Sequence, residues 1–136
     1  MFGAVVDEAT VNSWKTKLSQ EQVIGQAELI PLLMARLTWE KRLAGRRTIY
    51  FMDNESARIT AIKSYSPVLP SLEIVMRCIG FDYIHEAVPW YARVPTCCNV
   101  ADGPSRMDPE EAIRLTNGKI VVPICPPGVG LQECLR

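Results

Sequence analysis

The chain lacks several features that mark particular classes of protein. Its 136 residues carry 15 lysines and arginines against 15 aspartates and glutamates, so no overall positive field draws it onto nucleic acid. Any contact with nucleic acid must therefore be local. No apolar run is long enough to span a bilayer, and Asp7 and Glu8 follow a short apolar start, unlike the long apolar stretch of a signal peptide.

Cysteine is present, but without the spacing of a disulfide framework or a zinc site. The five cysteines are an odd set with no C-x-x-C motif. Cys97 and Cys98 are adjacent, and adjacent thiolates without matched spacing seldom form a tetrahedral zinc site. We expect a soluble protein of the cell interior, in the cytoplasm or the nucleus.

What the chain does have is enough apolar sequence for one domain, with 48% of its residues hydrophobic. Residues 2–6 are short, apolar and typical of a strand. Residues 7–10 resemble a turn, and residues 11–18 alternate in a way that predicts a second strand. The N-terminus is therefore predicted to form a hairpin.

A long helix is predicted next, over residues 22–43, where good helix formers present a broad apolar face. Pro31 is expected near the start of this helix, because deeper inside it would remove a backbone hydrogen bond and clash with the preceding turn. That expectation places Glu28 at or before the first turn. Gly45 ends the helix, and the apolar run at residues 48–52 predicts a strand covered on both faces.

The rest of the chain continues the α/β pattern. Helices are predicted over residues 55–63 and 71–86, and a strand over residues 90–96. One face of the second helix is predicted to comprise Leu72, Val75, Met76 and Ile79. A further helix is predicted to open with Asp108 as its cap and Pro109 at its first position. The proline-rich end of the chain is predicted to be irregular and peripheral.

Three acidic residues occupy separate elements of this layout. A helix from Glu28 advances about 22 Å, and the returning strand recovers roughly 17 Å by Asp53, so both carboxylates are predicted to face the same end. Carboxylates gathered in this way can hold divalent cations that hydrolyse a phosphodiester, and Asp102 is the third candidate. Each also has a structural alternative: Glu28 suits a helix N-terminus, Asp53 a helix cap and Asp102 a loop.

The local sequences around these acids resemble a known family. In order, the matching segments are QAEL at residues 26–29, FMDNESA at 51–57, VPT at 94–96 and NVADGPSR at 99–106, with Trp39 and Gly45 after the first. Their order and spacing resemble the ribonuclease H domain linked to reverse transcriptase in retrotransposons. The similarity covers residues 2–106, and residues 107–136 follow as a C-terminal helix and a proline-rich tail.

The resemblance implies an α/β, ribonuclease H-like fold, in which helices flank a five-stranded mixed sheet with an acidic metal site at the strand ends. It implies an endonuclease that uses Mg²⁺ or Mn²⁺ to hydrolyse the RNA strand of RNA/DNA hybrids, joined to a reverse transcriptase domain in the same polyprotein. Glu28, Asp53 and Asp102 match the catalytic and metal-binding acids of the family. Integrases keep their glutamate last, whereas Glu28 precedes the two aspartates, which favours ribonuclease H.

One departure concerns the first catalytic aspartate, which the family carries on a strand before the hairpin. Residues 2–6 resemble the second strand, so the first strand and its aspartate are missing. Asp7 lies 21 positions before Glu28, which is too close for a substitute, and it suits a hairpin turn better. We expect a polyprotein fragment or a decayed copy that binds one metal ion weakly and turns over little. The alternatives are a catalytically inactive module with a nucleic-acid-binding or structural role, and an unrelated α/β domain.

Five polar residues near the acids are candidates for substrate binding: Asn54, Ser56, Arg58, Asn99 and Arg106. Asn54 and Ser56 suit contacts with the sugar-phosphate backbone or local turn bonding, and Asn99 suits fixing the loop before Asp102. The two arginines, like Lys63 and Arg93, suit phosphate contacts or solvated surface charge.

Other conspicuous residues are predicted to be structural. His85 lies 17 positions before Asp102, unlike the mobile histidine that some cellular ribonucleases H carry just before the last aspartate. Trp14, Trp39 and Trp90 are predicted to pack in the core or the hairpin, with base stacking as the alternative. A basic group at the far end of the long helix is predicted to serve a surface or inter-domain role: Lys41, Arg42, Arg46 and Arg47.

Overall fold

The computed structural model describes residues 1–17 and 23–135 and has the predicted mixed α/β character. Its helices are α1 (Glu8–Thr16), α2 (Ile24–Thr38), α3 (Glu40–Leu43), α4 (Glu55–Lys63), α5 (Leu69–Ile84), α6 (Asp102–Ser105) and α7 (Glu110–Thr116), with a 3-10 turn at Thr96–Cys98. Its strands are β1 (Ala4–Val6), β2 (Arg47–Met52), β3 (Val88–Arg93) and β4 (Leu131–Cys134). The predicted boundaries at Leu18 and Gln22 lie outside the described residues.

The predicted N-terminal hairpin is wrong, because the second half of it is the helix α1. The Asp7 carboxylate accepts a hydrogen bond from the Thr10 backbone N–H at 2.8 Å, which caps the helix. Thr10 and Trp14 are one turn apart and both buried, so α1 presents a packed stripe to the core. Capping and this burial outweigh the alternation that suggested a strand.

Pro31 is the eighth residue of α2, so the prediction that it lies near the helix start is wrong. Its side chain is exposed, and the helix continues through it because Leu29, Ile30 and Leu33 are almost fully buried. Glu28 is consequently the fifth residue of α2, just beyond the first turn.

Within the described residues the strands form two separate two-stranded sheets, so the single five-stranded mixed sheet that the resemblance implies is not observed. β1 pairs antiparallel with β4, and β2 pairs parallel with β3. The prediction that both faces of β2 are covered is wrong, since Ile49 is 58% exposed and Phe51 is 64% exposed. On β3, Trp90 is paired with Ile49 and is 70% exposed. One face of this parallel pair is therefore open and apolar.

The core lies beneath the opposite face of the parallel pair, where α2 packs against α5 and α4. The predicted face of α5 is partly wrong, because Val75 is buried while Met76 is 54% exposed. Ile74 and Cys78 take the buried positions instead.

The prediction that the C-terminal tail is peripheral is wrong. The Val121 N–H donates to the Met1 carbonyl at 2.8 Å, Pro126 is fully buried, and β4 pairs with β1. The preceding helix α7 starts at Glu110, after Pro109, and has no side-chain cap, so the predicted role of Asp108 as its cap is not observed.

No described helix has both the length and the apolar character needed to cross a membrane.

Candidate functional site

The three predicted acids line one cavity of about 870 Å³. Glu28 reaches it from α2, Asp53 from the end of β2, and Asp102 from the start of α6. Helix α2 and strand β2 place their acids at the same cavity, as the sequence predicted. The strand residues of β1 form another part of its wall.

Glu28 and Asp53 interact electrostatically. Burial raises the pKa of Glu28 above its ordinary value, and the nearby charge of Asp53 raises it further. Asp53 follows β2 directly, and its carboxylate accepts a hydrogen bond from Asn99 Nδ2 at 3.0 Å. Asn99 also accepts from the Ala101 N–H through Oδ1 at 3.1 Å, so one side chain fixes both the acid and the loop before Asp102.

Asp102 has a different electrostatic partner. It is the first residue of α6, and its carboxylate lies 3.2 Å from Arg106 Nε, one helical turn later. The Arg106 side chain is 73% exposed, so this ion pair is a surface interaction of modest strength. Arg106 therefore offsets the charge of Asp102.

The donor set fits a metal ion only in part. Across residues 1–17 and 23–135, no group of three or more histidine, cysteine, aspartate or glutamate side chains is arranged to hold a metal ion. The chemistry of Glu28 and Asp53 suits a hard divalent cation, which prefers carboxylate and water oxygens. Asp7 does not line the cavity, since its carboxylate caps α1.

The remaining predicted substrate-binding residues divide into two groups. Asn99 lines the cavity, and Arg106 forms an ion pair with Asp102, which also lines it. Asn54 accepts from the Ala57 N–H at 3.0 Å and so caps α4, in agreement with the local alternative. Ser56 is exposed in the first turn of α4.

Arg58 lies elsewhere in the molecule. Its guanidinium contacts Glu55 at 2.7 Å, and it lines a second cavity of about 430 Å³ that contains none of the three acids. The structure therefore does not bring Arg58 to the acidic site.

The residues predicted to be structural mostly have structural contacts. The His85 ring packs on Phe81 with centroids 4.2 Å apart. Trp14 is buried and Trp39 packs against Phe2, but the exposure of Trp90 makes its predicted core role wrong. Cys97 and Cys98 contact each other on the surface, with their sulfurs 3.7 Å apart.

The sequence reasoning missed a buried ion pair between Arg36 and Asp82. Both nitrogens Nε and Nη2 of Arg36 donate to the Asp82 carboxylate at 2.8 Å, and Nη2 also donates to the Tyr91 hydroxyl at 2.8 Å. The guanidinium stacks over Tyr50 at 4.5 Å. A signal was present, since Arg36 lies seven residues after Leu29 on the apolar stripe of α2.

Burial and hydrogen bonding shift the pKa values of this group. Burial opposes the charge of Arg36, yet the hydrogen bonds with Asp82 hold its pKa above the ordinary value. Burial also raises the pKa of the Tyr91 hydroxyl to about 12. The group is therefore a fixed, charged and hydrogen-bonded part of the core.

No family model, curated protein or solved structure matches the chain. The mixed α/β character and the geometry around the acids come from the structure itself. The resemblance to ribonuclease H therefore stays a prediction from the sequence motifs.

Proposed function

We propose that the chain is a ribonuclease H-type module of a retroelement reverse transcriptase with an incomplete metal site. The observation that carries the proposal is that Glu28, Asp53 and Asp102, which occur in the order of the family motifs, all line one cavity. Its substrate class is the RNA/DNA hybrid, and its reaction is hydrolysis of the RNA strand.

Two of the acids would hold the metal. Glu28 and Asp53 interact closely enough for the charge of Asp53 to raise the pKa of Glu28, so a divalent cation between them relieves repulsion. When bound, Mg²⁺ or Mn²⁺ supplies activation of water and stabilisation of the leaving oxygen. Asn99 holds the Asp53 carboxylate in place through its 3.0 Å hydrogen bond.

The pairing of the third acid, Asp102, is the reason that we expect low activity. Asp102 is paired with Arg106, and the described residues contain no third acid arranged with Glu28 and Asp53. A hydrolysis that uses two metal ions needs more carboxylates than one pair supplies. We expect weak binding of one ion and slow turnover in the isolated chain, with hybrid delivered by a reverse transcriptase domain.

A second candidate is a catalytically inactive module of the same origin that binds nucleic acid or serves a structural role. The Arg106–Asp102 ion pair favours it, because this contact already compensates the charge that a metal ion would otherwise compensate. In this case Arg106 contacts a backbone phosphate, and no metal ion takes part.

The test combines binding and cleavage of a fluorescently labelled RNA/DNA hybrid in Mn²⁺ and in EDTA. The first proposal predicts binding that Mn²⁺ strengthens and a slow cleavage that Asp53→Asn abolishes. Glu110→Gln, which removes an exposed acid on α7, is the matched control and keeps both signals. Binding without cleavage and without an effect of Mn²⁺ supports the inactive module that binds nucleic acid. Absence of hybrid binding contradicts the nuclease and the nucleic-acid-binding module, and leaves only the structural role.

A further inference from the structure

The two sheets of the molecule leave a groove between them. β1 and β2 both line the cavity that contains the acids. Each is bonded on one side, β1 to β4 and β2 to β3, and neither has a second strand neighbour within the described residues. The groove therefore lies beside two strands that each have one unpaired edge.

The hydrogen-bond pattern identifies the unpaired groups on β2. The Val88 N–H donates to the Arg46 carbonyl, and the Val94 N–H donates to the Met52 carbonyl. The backbone N–H and C=O groups of the even-numbered residues of β2 therefore point toward β3. Backbone groups alternate in direction along a strand. The N–H and C=O groups of Ile49 and Phe51 consequently point away from β3, toward the unpaired edge.

This arrangement is an unusual resting state for a sheet. Parallel sheets are normally covered on both faces, whereas one face of this pair is open. A long unpaired edge is also a template for another strand. Ile49 and Phe51 are both more than half exposed, so an added strand would gain apolar contacts as well as backbone hydrogen bonds.

The groove has an apolar floor and an acidic end. Ile30, Met34 and Trp39 line it from the side of α2. Glu28 and Asp53 line it where β2 ends. An occupant therefore needs apolar side chains along its length and a positive charge at that end.

We propose that this groove binds an extended peptide strand of a partner protein, with alternating apolar side chains and a lysine or arginine beside Glu28 and Asp53. The strand adds antiparallel to the outer edge of β2, so that its first residue lies beside Asp53, and it is held by the backbone groups of Ile49 and Phe51, the mode known as β-augmentation. A helix has no spare backbone groups along its length for such an edge, and without a metal ion the carboxylates of Glu28 and Asp53 repel a phosphate backbone at their end of the groove. This inference goes beyond the proposed nuclease function and does not depend on it.

The experiment measures fluorescence anisotropy of a labelled peptide with the full chain in EDTA. The peptide has about eight residues, enough to span a six-residue strand at ~3.3 Å per residue, with valine alternating with serine after a first lysine. Replacing that lysine with aspartate is expected to weaken binding about tenfold, because like charges meet at the acidic end. Glu28→Gln is expected to reduce this difference between the two peptides.

Two controls test the backbone mode. Ile49→Pro removes an outward N–H and should abolish binding, whereas Ile49→Thr keeps that N–H and a β-branched side chain and should retain it. Circular dichroism compares the folding of the two variants. Because a proline can perturb the strand, a peptide N-methylated at alternate residues is tested against the unaltered chain, and we expect it not to bind.

Three outcomes overturn the proposal: equal binding of the N-methylated and unmodified peptides, absence of peptide binding, or sedimentation showing that a second copy of the chain occupies this edge. The use of EDTA separates this test from the nuclease proposal. Failure to bind the peptide leaves metal binding and hybrid cleavage as independent readouts.

Discussion

Two groups of charged side chains lie along α2, and they are compensated very differently. Arg36, near the C-terminal end, is fully buried and bound by Asp82 and Tyr91. Glu28, about 12 Å away along the helix axis, is half-buried and faces the like charge of Asp53. The first group is satisfied by the chain itself, whereas the second leaves negative charge that the described contacts do not neutralise.

The difference separates a structural role from a binding role. A buried charge with a bidentate partner holds one native arrangement, and its removal leaves the partner uncompensated. Carboxylates that repel one another raise the free energy of the site until a cation or a basic group binds there. We infer that the Arg36 group stabilises the fold and that the acidic group is the site of interaction.

The largest expected effect comes from breaking the compensated group. Asp82→Ala leaves Arg36 buried without its carboxylate, so the free energy of unfolding is expected to fall by about 3–5 kcal/mol. Urea denaturation followed by circular dichroism measures the change. Lys17→Ala, which breaks the exposed Lys17–Glu73 ion pair at 2.9 Å, is the control and should cost less than about 1 kcal/mol. A similar small loss for Asp82→Ala would contradict the structural role of the buried pair.

A smaller effect is expected from Asn54, which is adjacent to the acidic group but caps α4. Asn54→Ala should lower the free energy of unfolding by about 1 kcal/mol, because the cap to Ala57 is lost. Affinity for the RNA/DNA hybrid should not change in an anisotropy assay. A large loss of hybrid affinity with unchanged stability would place Asn54 in the interaction site instead.

The smallest effect is expected from Glu28, where the sign of the change matters. Its pKa is raised in the folded state, so its favourable contribution is present below the unfolded value of 4.5 and is lost as pH rises through the folded value. Glu28→Gln should remove this pH dependence and stabilise the chain at neutral pH. The gain should stay below about 1 kcal/mol, because solvent screens the exposed part of the carboxylate. Thermal denaturation from acid to neutral pH measures it, and destabilisation by Glu28→Gln at neutral pH would contradict the account.

The sequence predicted that Glu28 and Asp53 face the same end of the fold, because the lengths of a helix and a returning strand are regular and local quantities, and both residues line one cavity. The position of Glu28 within its helix was predicted less well, since it is the fifth residue of α2. The helix α1 was missed because alternation around Val11 resembles a strand, while the Asp7 cap and the burial of Trp14 decide the outcome. Pro31 was misplaced because its local penalty is outweighed by tertiary packing of α2.

Long-range contacts account for what could not be predicted. The pairing of β4 with β1 joins residues more than a hundred positions apart, and no local pattern encodes it. The partner of Arg36 lies 46 residues later, so the sequence signals a buried charge without naming Asp82. The exposure of Trp90 likewise depends on which faces the helices cover.

The central claim is that Glu28 and Asp53 jointly bind one divalent cation. The most direct test is a titration of the full chain with Mn²⁺, in which electron paramagnetic resonance measures the free ion for the unaltered chain and for Glu28→Gln, Asp53→Asn and Glu110→Gln. The account predicts a single weak site that is lost in the first two variants and retained in Glu110→Gln. Equal Mn²⁺ binding by all four proteins would contradict it.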